Sequence, residues 1–215
     1  LAESEIDFVD PFSEESQSDG NLGNKSYYNA LNIGPAIGVV EIPKIKVELP
    51  IYHGSNEDVL SEGVGHLENS SLPTGKNGTH SVLTAHRGLP SAKLFRNLDE
   101  LTVGDEFYVQ VLDEVFAYKV QDINVVLPHE TDWLRMQEDK NLVTLLTCDP
   151  YMVNTHRMLV TGERIPYEPS EKTKASGSND EDKNIYFFIS LVVGLIVIFI
   201  IIWFLRRKKQ YKEGG

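Results

Sequence analysis

Between residues 37 and 164 the chain is a succession of short runs rich in β-branched and aliphatic residues, each broken by polar residues, Gly or Pro. The runs fall at 39–42, 45–51, 81–85, 106–112, 115–120, 122–127, 143–147 and from 158 to 160. Branched and aromatic side chains suit a pleated, half-buried surface, and turn-forming residues at this frequency separate strands. Asp113 and Glu114 split two of the runs and read as the turn of a hairpin. About eight short strands with such breaks predict an all-β domain closed into an eight-stranded barrel. Two short helices are expected beside it, at 57–61 and 92–98.

The rest of the chain divides around this domain into residues 1–36, 37–166, 167–184, 185–205 and 206–215. The first segment is polar and acidic, with no basic residue before Lys25, and reads as loop or disorder. The third mixes Pro, Ser, Gly, Lys and acidic residues without apolar periodicity and reads as a flexible linker. Residues 185–205 carry no charge. As a helix they would span about 31 Å, enough to cross a bilayer. Arg206, Arg207, Lys208 and Lys209 follow at once, and clustered positive charge marks the cytoplasmic side. The expectation is a single-pass cell-membrane protein with a C-terminal transmembrane helix, the barrel extracellular and the C-terminus cytoplasmic. The whole chain has a net charge of −12, and its main body is more acidic still because this basic cluster lies outside it. Such a body argues against nucleic acid as a partner, since phosphate binding needs a basic face.

The chain has a single cysteine, Cys148, so an intrachain disulfide is excluded. A lone Cys after an apolar run is ordinarily a small buried hydrophobe, and an Arg at a strand start ordinarily lies on the surface. Here, though, Cys148 ends one strand-like run and Arg157 begins the next. If those strands pair, a thiol stands beside a guanidinium. A fixed positive charge stabilises the nucleophilic thiolate. The same group can donate to a carbonyl oxygen that becomes negative during attack. A third run, 81–85, ends at His86 before a turn rich in Gly and Pro, which sets an imidazole at a strand tip. Cysteine nucleophiles need an acid/base near in space, not in sequence. His156 adjoins Arg157 and competes for that role, but alternation points neighbouring strand residues to opposite faces. His53, His66, His80 and His129 show no ligand spacing, so neither a metal nor a cofactor is expected. Glu57, Asp58, Glu62 and Glu68 lack the alternation of a calcium loop and read as solvated faces. The patterns at 69–71 and 77–79 match glycosylation acceptors and read more simply as turns.

Thr144-Leu145-Leu146-Thr147-Cys148 resembles the Thr-Leu-x-Thr-Cys signature of the sortases. Arg157 resembles their active-site Arg, and His86 in Leu83-Thr84-Ala85-His86 resembles their His, with Ala85 where many members have Gly. The resemblance covers roughly residues 38–166. It implies a cysteine transpeptidase on the outer face of a Gram-positive cell, acting on a Leu-Pro-x-Thr-Gly-like sorting signal. Cys148 would attack the Thr carbonyl, His86 would protonate the departing Gly amine, and Arg157 would hold the substrate backbone or the oxyanion. By itself Asp10-Pro11-Phe12 starts a turn. Beside these motifs it is similar to the lid of class C, pilus-assembling sortases, with Phe12 standing for Trp. That implies an Asp10–Arg157 pair and Phe12 covering Cys148. The C-terminal anchor also resembles class C, since housekeeping sortases are typically anchored at the amino terminus. The partners so implied are pilin subunits, one carrying the sorting signal and another an acceptor Lys whose amine makes an isopeptide bond. Two alternatives stay open: a housekeeping-type sortase that anchors surface proteins to the cell wall, and a non-enzymatic surface-binding barrel with an inert Cys148.

Overall fold

The computed structural model describes residues 10–13, 34–89, 92–134 and 136–168. The expected transmembrane helix, the basic tail and all but the start of the linker lie outside the described residues. Among those described, no helix is long and apolar enough to cross a membrane.

Eight strands and one short α-helix follow in the order β1 (Gly38–Ile42), β2 (Val47–His53), α1 (Glu57–Glu62), β3 (Val64–His66), β4 (Thr79–Thr84), β5 (Glu106–Val111), β6 (Glu114–Val126), β7 (Asn141–Asp149) and β8 (His156–Ile165). They close into a barrel in the order β1-β2-β3-β4-β7-β8-β6-β5. Two of the pairings are parallel, β2 with β3 and β4 with β7. The expected closed eight-stranded barrel is therefore the observed architecture, although its strands are not all the expected ones.

The runs 115–120 and 122–127 are one strand, β6, whose pairing with β8 shifts register between Val120 and Asp122. A bulge absorbs one residue and bends a ladder without ending it, which is why a polar break in the pattern did not mark a chain break. The eighth strand is instead β3, three residues long and wholly buried. It is too short to show any period. The run expected from 45 begins two residues later, because Pro43–Ile45 forms a 3-10 turn closed by Lys46 in the left-handed region at φ 54°. The helix expected at 57–61 is α1, capped by Asn56, whose side chain accepts the Val59 N–H at 3.0 Å. The helix expected at 92–98 does not form. Leu94 takes φ 44°, which interrupts a right-handed helix. Leu94, Phe95 and Leu98 are instead buried in the core from turns and a 3-10 segment, Leu98–Glu100.

Two apolar layers follow from strand alternation. Leu83, Val143, Leu145 and Val160 belong to the main core with Phe107, Val109 and Tyr118. Their neighbours Val82, Leu146 and Leu159 belong to a second, smaller core with Leu67 and Leu134, against which Phe12, Val126 and Trp133 pack. β4, β7 and β8 are thus covered on both faces, and every residue of β7 from Asn141 to Cys148 is buried. This is why β7 reads as a nearly continuous apolar run and not as an alternating one. In the main core Phe107 and Tyr118 stack at 5.4 Å, and only a glycine fits beside them, since a Cβ on Gly162 would come within 2.5 Å of the Phe107 ring.

Candidate active site

The second core continues along β7 and β8 to the site. Cys148 and Arg157 are direct register partners, the position expected if the two runs pair. β4 runs parallel on the other side of β7, with Thr84 opposite Leu146. His86 lies two residues past Thr84, as Cys148 lies two residues past Leu146, so the two stand at the same end of neighbouring strands. The Ala85 N–H donates to the Leu146 carbonyl at 3.2 Å, and the Thr147 hydroxyl donates to the Ala85 carbonyl at 2.8 Å. Ala85, where a Gly was the alternative, is fully buried in the main core. His156 pairs with Asp149 and bonds the Thr155 hydroxyl through Nδ1 at 2.9 Å.

Asp10 and Phe12 meet the same end of the barrel. The Arg157 Nε donates to Asp10 Oδ1 at 2.9 Å and Nη2 donates to Oδ2 at 2.6 Å, a two-pronged pair. The remaining Nη1 donates to the Asn154 and His156 carbonyls at 3.0 and 2.9 Å, which fixes the guanidinium plane. The Phe12 ring lies 5.2 Å from the guanidinium carbon and 5.6 Å from the His86 ring. Cys148 is 6% exposed. Burial pushes its thiol up to about 11; Arg157 and Arg87 pull the other way, and Asp10 adds to the rise. At neutral pH the thiol in this arrangement keeps its proton. An apolar groove beside it is lined by Pro11, Leu67, Trp133, Leu134, Leu146 and Arg157.

Three further side chains surround the site that the sequence did not assign to it. Glu57, which read as a solvated acid, places both carboxylate oxygens 3.2 Å from His86 Nε2. Arg87 is 8% exposed. It donates through Nη1 to Asp149 and through Nη2 to Asp99 at 2.7 Å. Position next to His86 and next to Cys148 was the only sequence signal for Arg87 and Asp149, and Glu57 had none. Of the other histidines, His80 bonds the Thr144 hydroxyl at 2.7 Å and His66 is buried at the end of β3, both as structural groups. Among the described residues no group of His, Cys, Asp and Glu could hold a metal ion.

A buried thiol thus has a guanidinium as its strand partner and an imidazole at the tip of the adjacent parallel strand. Residues 40–165 match the sortase domain. The chain belongs to the sortase family. It is 36% identical over 135 residues to sortase D of Bacillus subtilis, covering 61% of this chain and 65% of that protein. It therefore spans less than two thirds of that relative. Among solved structures it resembles sortase C-1 of Streptococcus pneumoniae at 51% identity and a TM-score of 0.70, over 74% of this chain and 80% of the other. It also resembles a Streptococcus pneumoniae sortase C described for its catalysis and pilin substrate specificity, at 47% identity and a TM-score of 0.68, over 76% of this chain and 81% of that one.

Proposed function

We propose that this sortase is a class C, pilus-assembling cysteine transpeptidase, held in the membrane by its C-terminal helix with the barrel outside the cell. The observation that carries the reading is the register of Cys148 against Arg157, with His86 at the tip of the parallel neighbour. The pairing of Asp10 with Arg157 and the Phe12 ring beside Arg157 and His86 support the class, as does the likeness to sortase C-1.

The geometry suggests how the chemistry runs. Asp10 occupies two donor positions of Arg157, so a substrate carbonyl takes them only when Asp10 leaves. His86 accepts the Cys148 proton, and the thiolate attacks the Thr carbonyl of a Leu-Pro-x-Thr-Gly-like signal. Arg157 donors face the oxygen as it becomes negative. The tetrahedral adduct collapses, the C–N bond breaks, and the imidazolium returns the proton to the departing Gly amine. A Lys amine of a second pilin then attacks the thioacyl carbon, gives up a proton to His86 and displaces the thiolate.

The test is incubation of the full chain with pilin subunits carrying a sorting signal and an acceptor Lys, followed by mass spectrometry. A thioacyl adduct on Cys148 and covalent ladders are expected, and neither with Cys148→Ala. Products on a cell-wall precursor amine alone would make it a housekeeping enzyme. With no adduct at all, the barrel is a binding module.

A further inference from the structure

His86 needs a defined tautomer to serve as acid and base, and the structure supplies the means. Both oxygens of the Glu57 carboxylate lie 3.2 Å from Nε2. A carboxylate only accepts, so Nε2 carries its hydrogen whether the ring is neutral or charged. Among the described residues His86 Nδ1 makes no hydrogen bond, which leaves it for proton transfer. Glu57 is not a freely swinging acid. It opens α1, whose first turn is capped by Asn56 and whose Leu60 is fully buried.

We propose that Glu57 is a positioning residue for His86. It fixes the tautomer with hydrogen on Nε2 and stabilises the imidazolium formed when Nδ1 takes the Cys148 proton. No proton passes to Glu57; the hydrogen on Nε2 stays there through both half-reactions. The ring is thereby held from the body of the enzyme, by a contact that does not involve Asp10 or Phe12 and persists when they depart. This rests on the transpeptidase reading of the site. A third group that orients a general base is the arrangement that nucleophilic catalysis recurrently uses.

The experiment compares Glu57→Gln, Glu57→Ala and Glu57→Asp with the parent in the full chain, using a Leu-Pro-x-Thr-Gly peptide and an amine acceptor. Glu57 is half exposed, so a modest effect is expected: kcat falls about fivefold in Glu57→Gln, with KM held within about twofold, and falls further in Glu57→Ala. Glu57→Asp, which keeps the charge, restores part of kcat. Labelling of Cys148 by a small thiol reagent at equal pH, without peptide, slows in the same order. A folded Glu57→Gln with the kcat and labelling rate of the parent overturns the proposal. So does a rise in KM at constant kcat, which would make Glu57 a substrate contact. A parent labelled at Cys148 that turns over no peptide sinks the transpeptidase reading instead, and the labelling series still decides Glu57.

Discussion

At the scale of single residues, Asp10 and Phe12 lie against Arg157 and His86, and in the proposed lid they restrain the nucleophile. The pair with Arg157 is not an exposed one: the Asp10 and Arg157 side chains are 12% and 8% exposed. Charge-assisted bonds of this kind contribute about 1.5–3 kcal/mol. The Phe12 ring adds at most about 1.5–3 kcal/mol by burial. On the lid reading proposed above, a closure worth a few kcal/mol would keep the site mostly shut and would still yield to the binding of a large substrate. The same carboxylate opposes Arg157 in holding the thiolate, so it raises the thiol. Asp10→Ala with Phe12→Ala should therefore speed thiol-reagent labelling of Cys148 by at least about tenfold at neutral pH. The inflection of labelling rate against pH should move down from about 11. Unchanged labelling in the folded double variant would reduce 10–12 to a simple turn.

At the scale of elements, alternation separates chemistry from support. Cys148 and His86 share the outer side of β7 and β4, while Asp149 and Arg87, one residue on, turn to the other side and pair there. That ion pair joins the chain after the acid/base to the chain after the nucleophile, and Phe95 N–H to His86 carbonyl at 3.1 Å braces the same loop. Arg87→Met should cost about 1–3 kcal/mol, because it strands a half-buried Asp149 and removes a buried charge. It should lower kcat along with stability. Asp99→Asn, on the half-exposed arm, should cost under about 0.5 kcal/mol. Urea unfolding and peptide turnover of the two variants check this; equal effects would mean that the Asp149 arm has no special place.

At the scale of the whole barrel, His66 makes stability depend on acid. It is fully buried at the end of β3, with Nε2 donating to the Ser71 carbonyl at 2.9 Å. Burial lowers its pKa from 6.5 to about 4, partly opposed by that bond. The unfolded chain binds a proton near pH 6.5 and the folded chain only near pH 4, so between those values the unfolded state binds more protons. Stability is full above about 6.5 and falls by roughly 2–4 kcal/mol as pH drops to 4. Urea midpoints at pH 7, 5.5 and 4.5 should show the loss, and His66→Gln should flatten it. A parallel fall in the variant would assign the effect to other groups.

What residues alone determined here is what local pattern and covalent order can encode. Period and turn residues specified an all-β domain of short strands, and adjacency to strand ends singled out Cys148, Arg157 and His86. The Asp10–Arg157 contact was legible only through the resemblance, since 10–12 by themselves make a turn. Tertiary structure decided the rest. β3 has three residues and owes its extension to its neighbours, β6 stays one strand because a bulge tolerates its polar break, and Leu94 at φ 44° prevents the helix expected at 92–98. Glu57 reached His86, and Arg87 reached Asp149, across separations of 29 and 62 residues. Such pairings are set by which strand ends and helix the closed barrel brings together, and a charge carries no local mark of the partner that closure will give it.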